Sequence, residues 1–370
     1  MRSFAPFVSI AGSILIGGLI TGCWERPPIA SDQRGFRGTA MVEWQNPREL
    51  PAKLAANAAP EIAEPVPEGG PAASTIYKNV PVLGQLGVGE FTRTMVAMTN
   101  WVAPKEGCLY CHKEGEDFAA DTLYTKIVAR KMLQMTQAIN SDNAQHVGVT
   151  GVTCYTCHRG QHIPQNVWFT AAPAKTATRM VGGDGKQNQP AMATALASLP
   201  VDGLTPYLSQ AMEIRTASTT ALPMSGEKRN RQDIKQTEST YSLMVHLSEG
   251  LGVNCTFCHN TQSFSSWQGS TPQRVTAWHG IRMTRSLNNV FMEPLVPVFP
   301  AERKGPTGDV AKVNCATCHQ GANKPLLGAQ MAKHYPAMSK APVPAQPAEK
   351  VAVAPVVAAA AATTGSKVKK

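Results

Sequence analysis

The sequence predicts a mostly α-helical protein built from two similar halves, each with two helix-plus-C-x-x-C-H units and long loops. Three observations lead there. Eight of the nine cysteines fall into four C-x-x-C pairs, each followed directly by a histidine. The central part repeats itself: residues 93–112 resemble 240–259, residues 129–140 match 277–288, and "GVTCYTCHRG" (151–160) matches "KVNCATCHQG" (312–321). Residues 90–102, 122–140, 239–249 and 272–289 have helix-compatible composition and spacing, while no stretch alternates as a strand would.

Taken in chain order, residues 1–22 read as a targeting segment, with Arg2 as the positive region and a mostly apolar run over 4–20. "ITGC" then places small residues before Cys23, which resembles a bacterial lipoprotein signal with Cys23 as the lipidated residue. The alternative is an uncleaved N-terminal anchor; either exports the chain across the membrane. A single acyl chain holds weakly, so stable attachment needs a second contact. Residues 23–75 form an extended arm rich in Pro, Ala and Glu. The first half spans 76–165. A connector over 166–225 carries a weak helical signal at 206–215, and the second half spans 226–341. Residues 342–370 are a low-complexity Ala/Pro tail.

Composition narrows the chemistry. The 370 residues are 43% hydrophobic but only 6% aromatic, so the core needs bulk from a source other than large side-chain rings. The formal charge of +10 includes the basic end "KVKK", and export excludes nucleic acid as a partner.

The four motifs are Cys108/Cys111/His112, Cys154/Cys157/His158, Cys255/Cys258/His259 and Cys315/Cys318/His319. Two thiols at this spacing add to the two vinyl groups of one haem, and the adjacent histidine reaches the iron as its fifth ligand. Zinc ribbons do not require a histidine after every second cysteine, and disulfide frameworks are not this regular. Four covalently bound haem c groups follow, and they supply the missing bulk.

The sixth ligand separates a carrier from an enzyme, because an enzyme leaves one iron open. Met95 and Met98 lie on the helical stretch before the first motif, Met132 and Met135 before the second and Met244 before the third. In the repeat Met95 and Met244 fall near one another, and Met135 reads more as core packing. Aligning Met135 with Met283 puts Met132 opposite Gly280, so the fourth motif has no methionine at that position. Met283, His279 (one residue off register) and His146, which has no counterpart in the second half, are the candidates to replace it. His162, His246 and His334 read as ordinary histidines.

The signal, the repeat, the four motifs, the upstream methionines and segments such as "QHVGVTGVTCYTCHRG" and "STPQR" together resemble the tetrahaem cytochrome subunit of purple bacterial photosynthetic reaction centres, over roughly residues 77–327. That resemblance implies three His/Met haems, with Met95 opposite His112, Met132 opposite His158 and Met244 opposite His259. It implies one His/His haem, with His146 opposite His319. It places Arg274 beside the third-motif haem, the one nearest the bacteriochlorophyll special pair. It further implies a non-enzymatic electron-transfer subunit on the periplasmic face of the inner membrane, bound to the L and M subunits with H in the same complex. A soluble cytochrome c or high-potential iron-sulfur protein would reduce it. The rivals are a multihaem carrier of a respiratory chain and a multihaem enzyme with an open iron.

Overall fold

Four helices organise the chain, and each lies where the helical spacing predicts it. The computed structural model describes residues 29–33, 42–67, 69–172, 188–214 and 234–339; the targeting segment, Cys23 and the 342–370 tail lie outside them. In chain order the elements used here are β1 (Ala30–Gln33), β2 (Val42–Gln45), α1 (Leu50–Ala56), α2 (Val88–Val102), α3 (Tyr124–Asp142), α4 (Ala144–Val147) and α5 (Cys154–His158). There follow β3 (Gln189–Ala191), β4 (Ala197–Leu199), α6 (Ile234–Leu251), α7 (Pro272–Leu287) and α8 (Cys315–His319).

Helix α7 starts with Pro272 in its first turn after the extended Thr271, where a missing N–H costs nothing. It runs on into a π-helical turn at Asn288–Met292, which absorbs the residues the sequence assigned to the helix end. Helices α6 and α8 meet so closely that a Cβ on Gly250 would lie 3.0 Å from the Ala316 amide nitrogen. Glycine is favoured there by close contact rather than by backbone conformation.

Two features differ from the sequence expectation. β1 pairs with β2 and β3 with β4, both antiparallel, although no strands were expected. At three or four residues they are too short for alternation to register. The arm, expected to be extended, contains α1, whose seven residues span too few turns for an apolar stripe to show.

The core is continuous across the sequence repeat. Ala97, Trp101, Leu133 and Cys154 pack with Leu326, Met331, Tyr335 and Met338 from the end of the described chain. The same segment is pinned to α3, where Gln137 donates to the Ala337 carbonyl (2.9 Å) and Asn140 to that of Met338 (2.7 Å). A second cluster joins Ala138 and Ile139 of α3 to Met283 and Leu287 of α7. A third sets Tyr207 and Leu208 of the connector against Leu243 and Ile281.

Candidate haem-binding sites

The motifs fall into two local designs. The second and fourth are short α-helices, α5 and α8, each entered through a capping box (Thr153 with Thr156, Asn314 with Thr317) and left through a left-handed residue, Arg159 or Gln320. One asparagine positions each. Asn140 donates to the Val152 carbonyl and accepts from its amide (2.9 and 2.7 Å); Asn288 does the same with Val313 (2.9 and 2.8 Å). These are the last residues of the matched stretches 129–140 and 277–288, so the repeat marks them, although the sequence reading assigned them no role. The first and third motifs are instead 3₁₀ turns, Gly107–Tyr110 and Cys255–Phe257.

Every motif histidine has the same tautomer. Nδ1 of His112 lies 3.1 Å from the Phe118 carbonyl, that of His158 2.9 Å from Gln161, that of His259 2.9 Å from Phe264 and that of His319 2.9 Å from Ala322. A carbonyl only accepts, so Nδ1 carries the proton and Nε2 keeps its lone pair for a metal. Burial lowers the pKa of all four, and that of His319 reaches about 4, so the rings stay neutral at physiological pH.

His146 shares this arrangement outside any motif. Its Nδ1–H donates to the Thr276 carbonyl of α7 at 2.9 Å, and its ring centroid lies 6.0 Å from that of His319. A Cβ on Gly280 would sit 2.5 Å from its Cε1 and 3.1 Å from its Nε2. The imidazole thus fills the place that a side chain at the Met132-equivalent position would take. Of the other candidates, Met283 is 9% exposed inside the α3–α7 core cluster and His279 packs edge-on against Trp278.

The remaining donors fit haem as well. A largely apolar cavity of about 970 Å³ is lined by Met95, Cys108, Cys111 and His112, and also by Met132, Cys154, Cys157 and His158. Ligand cavities of ~300–1,000 Å³ are typical of cofactor sites. Met244 is half-buried beside Tyr207 and Leu243. None of the eight motif cysteines is paired in a disulfide, and burial pushes the Cys154 and Cys315 thiols up to about 12. Among the described residues no three His, Cys, Asp or Glu side chains converge on a metal-sized site. Arg274 sits at the start of α7 beside the third motif. Its Nη1 donates to the Ser266 carbonyl (2.7 Å) and to Ser270 Oγ (2.8 Å), and its guanidinium lies 4.2 Å from the Trp267 ring centroid.

The second and fourth motifs also touch each other. Cys157 and Cys318 lie side by side where α5 meets α8. Arg159 donates to the Cys318 carbonyl (3.5 Å) and Gln320 to that of Cys157 (3.2 Å). The arm seals this junction: Arg159 donates to the Ala56 carbonyl (2.9 Å) and to Asn57 Oδ1 (3.2 Å), while Asn57 donates to the Gln320 carbonyl (3.2 Å). Sequence reasoning missed Asn57, which no repeat or motif marks.

Paired thiols, neutral imidazoles with free Nε2 atoms and methionines around an apolar cavity define a c-type cytochrome, with covalently bound haem c as its cofactor. Comparison with known proteins narrows the class. The family described as photosynthetic reaction centre cytochrome c subunit matches residues 25–339. The chain is 53% identical over 334 residues to the photosynthetic reaction center cytochrome c subunit of Rubrivivax gelatinosus, covering 90% of this chain and 89% of that one. It is 47% identical to that of Thermochromatium tepidum (91% and 81% covered) and 40% identical to that of Roseobacter denitrificans (85% and 87% covered). The chain belongs to the photosynthetic reaction centre cytochrome c subunit family. It is an electron-transfer subunit and not an enzyme. No helix among the described residues is long and apolar enough to cross a membrane.

Proposed function

We propose that this protein holds four haem c groups, in two similar halves, and re-reduces the photooxidised special pair of a reaction centre. Haem c supplies the one-electron chemistry. The chain's own residues set its terms: the eight thiols fix each group covalently, four motif histidines present Nε2 from one face, and Met95, Met132 and Met244 complete three of the sites. His146 completes the fourth opposite His319. A methionine ligand raises a haem's reduction potential relative to histidine, so His/His ligation lowers the potential of the fourth site. Arg274 adds a positive charge beside the third.

The partners are the L and M subunits, with H in the same complex, and a soluble donor, either a small cytochrome c or a high-potential iron-sulfur protein. The protein sits on the periplasmic face of the inner membrane, lipid-anchored through Cys23, with the reaction centre as the second contact that a single acyl chain requires.

The observation that carries the ligation is the His146 imidazole standing in the space above Gly280, facing His319. Replacing His146 by Met tests it in a redox titration of the purified complex. One of four one-electron steps moves to higher potential, that of the fourth-motif haem, and the other three stay in place. Movement of another step, or of none, rejects the assignment.

A further inference from the structure

Lys126 stands three residues before Ala129, just as Arg274 stands three residues before Ala277, so the matched stretches place both cations at one repeat position. Lys126 is on α3 and only 8% exposed. Its Nζ donates to the Phe118 carbonyl at 2.6 Å and to that of Ala120 at 2.8 Å. The Phe118 carbonyl is the one that holds Nδ1–H of His112, and the Phe118 ring lies 4.7 Å from that imidazole. The second half repeats each part. The Phe264 carbonyl holds Nδ1–H of His259 at 2.9 Å, accepts a longer contact from Arg274 Nη1 at 3.5 Å, and its ring stacks on the imidazole at 4.4 Å. At the other two motifs, the Gln161 and Ala322 carbonyls hold the histidines with no cationic donor among the described residues.

We infer that Lys126 is the first motif's counterpart of Arg274: a fixed cation joined to the ligating histidine through a shared carbonyl, which raises the reduction potential of the haem c at Cys108, Cys111 and His112. This rests on the ligation proposed above. Two effects act in the same direction. A positive charge near the site disfavours the oxidised, more positive form. A carbonyl already accepting from an ammonium also draws less on the imidazole N–H, so the histidine is a weaker donor to oxidised iron.

Neighbouring charges leave the sign intact. Asp121 lies 3.3 Å from Lys126 Nζ and 2.7 Å from Arg130, so the trio keeps one net positive charge. Lys126 acts here as a positioning and charge-setting residue, since it reaches the site through Phe118.

The test is a redox titration of the intact complex with four variants. Met95→His marks the first-motif step by lowering it. Lys126→Gln should lower that same step and no other, with the sulfur-to-iron charge-transfer absorption retained, while Lys126→Arg should leave it in place. Asp121→Asn, which unmasks the cation, should raise it. A purely structural role for Lys126 predicts equal falls in the Gln and Arg variants and no rise with Asp121→Asn; that pattern overturns the inference, as does an unmoved step in Lys126→Gln. If Met95→His moves no step, the ligation assignment has failed instead, and the two failures are told apart. Should Lys126→Gln not assemble, the Arg and Asp121→Asn arms decide alone.

Discussion

Replacing Gly280 by alanine adds a single methyl group in the place where His146 stands. The new Cβ would lie 2.5 Å from Cε1, 2.8 Å from Nδ1 and 3.1 Å from Nε2 of that ring. Carbon atoms rest at ~3.5–4.0 Å, so the imidazole must retreat by about 1 Å. It cannot slide along α7 without cost, because Nδ1 is tied to the Thr276 carbonyl at 2.9 Å, one turn before Gly280 on the same helix. Overpacking of this kind costs about 1–3 kcal/mol, and a ligand must be held within ~0.5 Å to stay productive. The expected outcome is a fourth site that loses His146 while His319 and the cysteines remain. Carbon monoxide binding to the reduced protein reads this directly: the parent takes up none strongly, and Gly280→Ala binds it at one site. A variant that binds no carbon monoxide and keeps an unchanged low-spin spectrum would refute the placement of His146 as a ligand.

Two further outcomes follow from contacts away from the irons. Asn57 is fully buried and joins the arm to Arg159 and Gln320, so Asn57→Ala should cost about 1–3 kcal/mol, lower the Tm and open residues 42–67 to limited proteolysis; an unchanged Tm would count against the arm as a seal. Burial alone would raise the Asp309 carboxyl, but hydrogen bonds from Lys312, the Thr170 amide and Thr307 outweigh it and hold the carboxyl at about 2, below its ordinary 3.8. A depressed folded pKa stabilises fully above ~3.8 and is lost as pH falls towards ~2, so acid unfolding of Asp309→Asn should lack about 1–2 kcal/mol of this pH dependence. Equal acid sensitivity in parent and variant would rule that contribution out.

Much of this was legible before any coordinates, for physical reasons. The four main helices are long enough for the 3.6-residue period to show, and covalent haem attachment constrains spacing so tightly that the motifs read directly. His146 was legible as one of three candidates through an absence, and was singled out among them by the family resemblance. Gly280 broke the methionine pattern of the repeat, and the structure shows why a glycine stands there. Asn140 and Asn288 were visible as matched residues, but their task is set by a turn geometry that spacing does not encode. The role of Asn57 was hidden because it joins segments 102 and 263 residues apart in the chain. Short strands and the seven-residue α1 stayed hidden because pattern needs length.

The packing of Leu326, Met331, Tyr335 and Met338 beneath Trp101 and Leu133 bears on how the chain is made. Synthesis delivers the N-terminal repeat first, yet its interior lacks one wall until residues 326–338 arrive. The two stretches are therefore packed into each other: the His146 ring stands over Gly280 of α7, and residues 326–338 return to cover Trp101 and Leu133. A truncated gene product ending after the third motif would leave Trp101 and Leu133 facing water, a substrate for proteases rather than a smaller cytochrome.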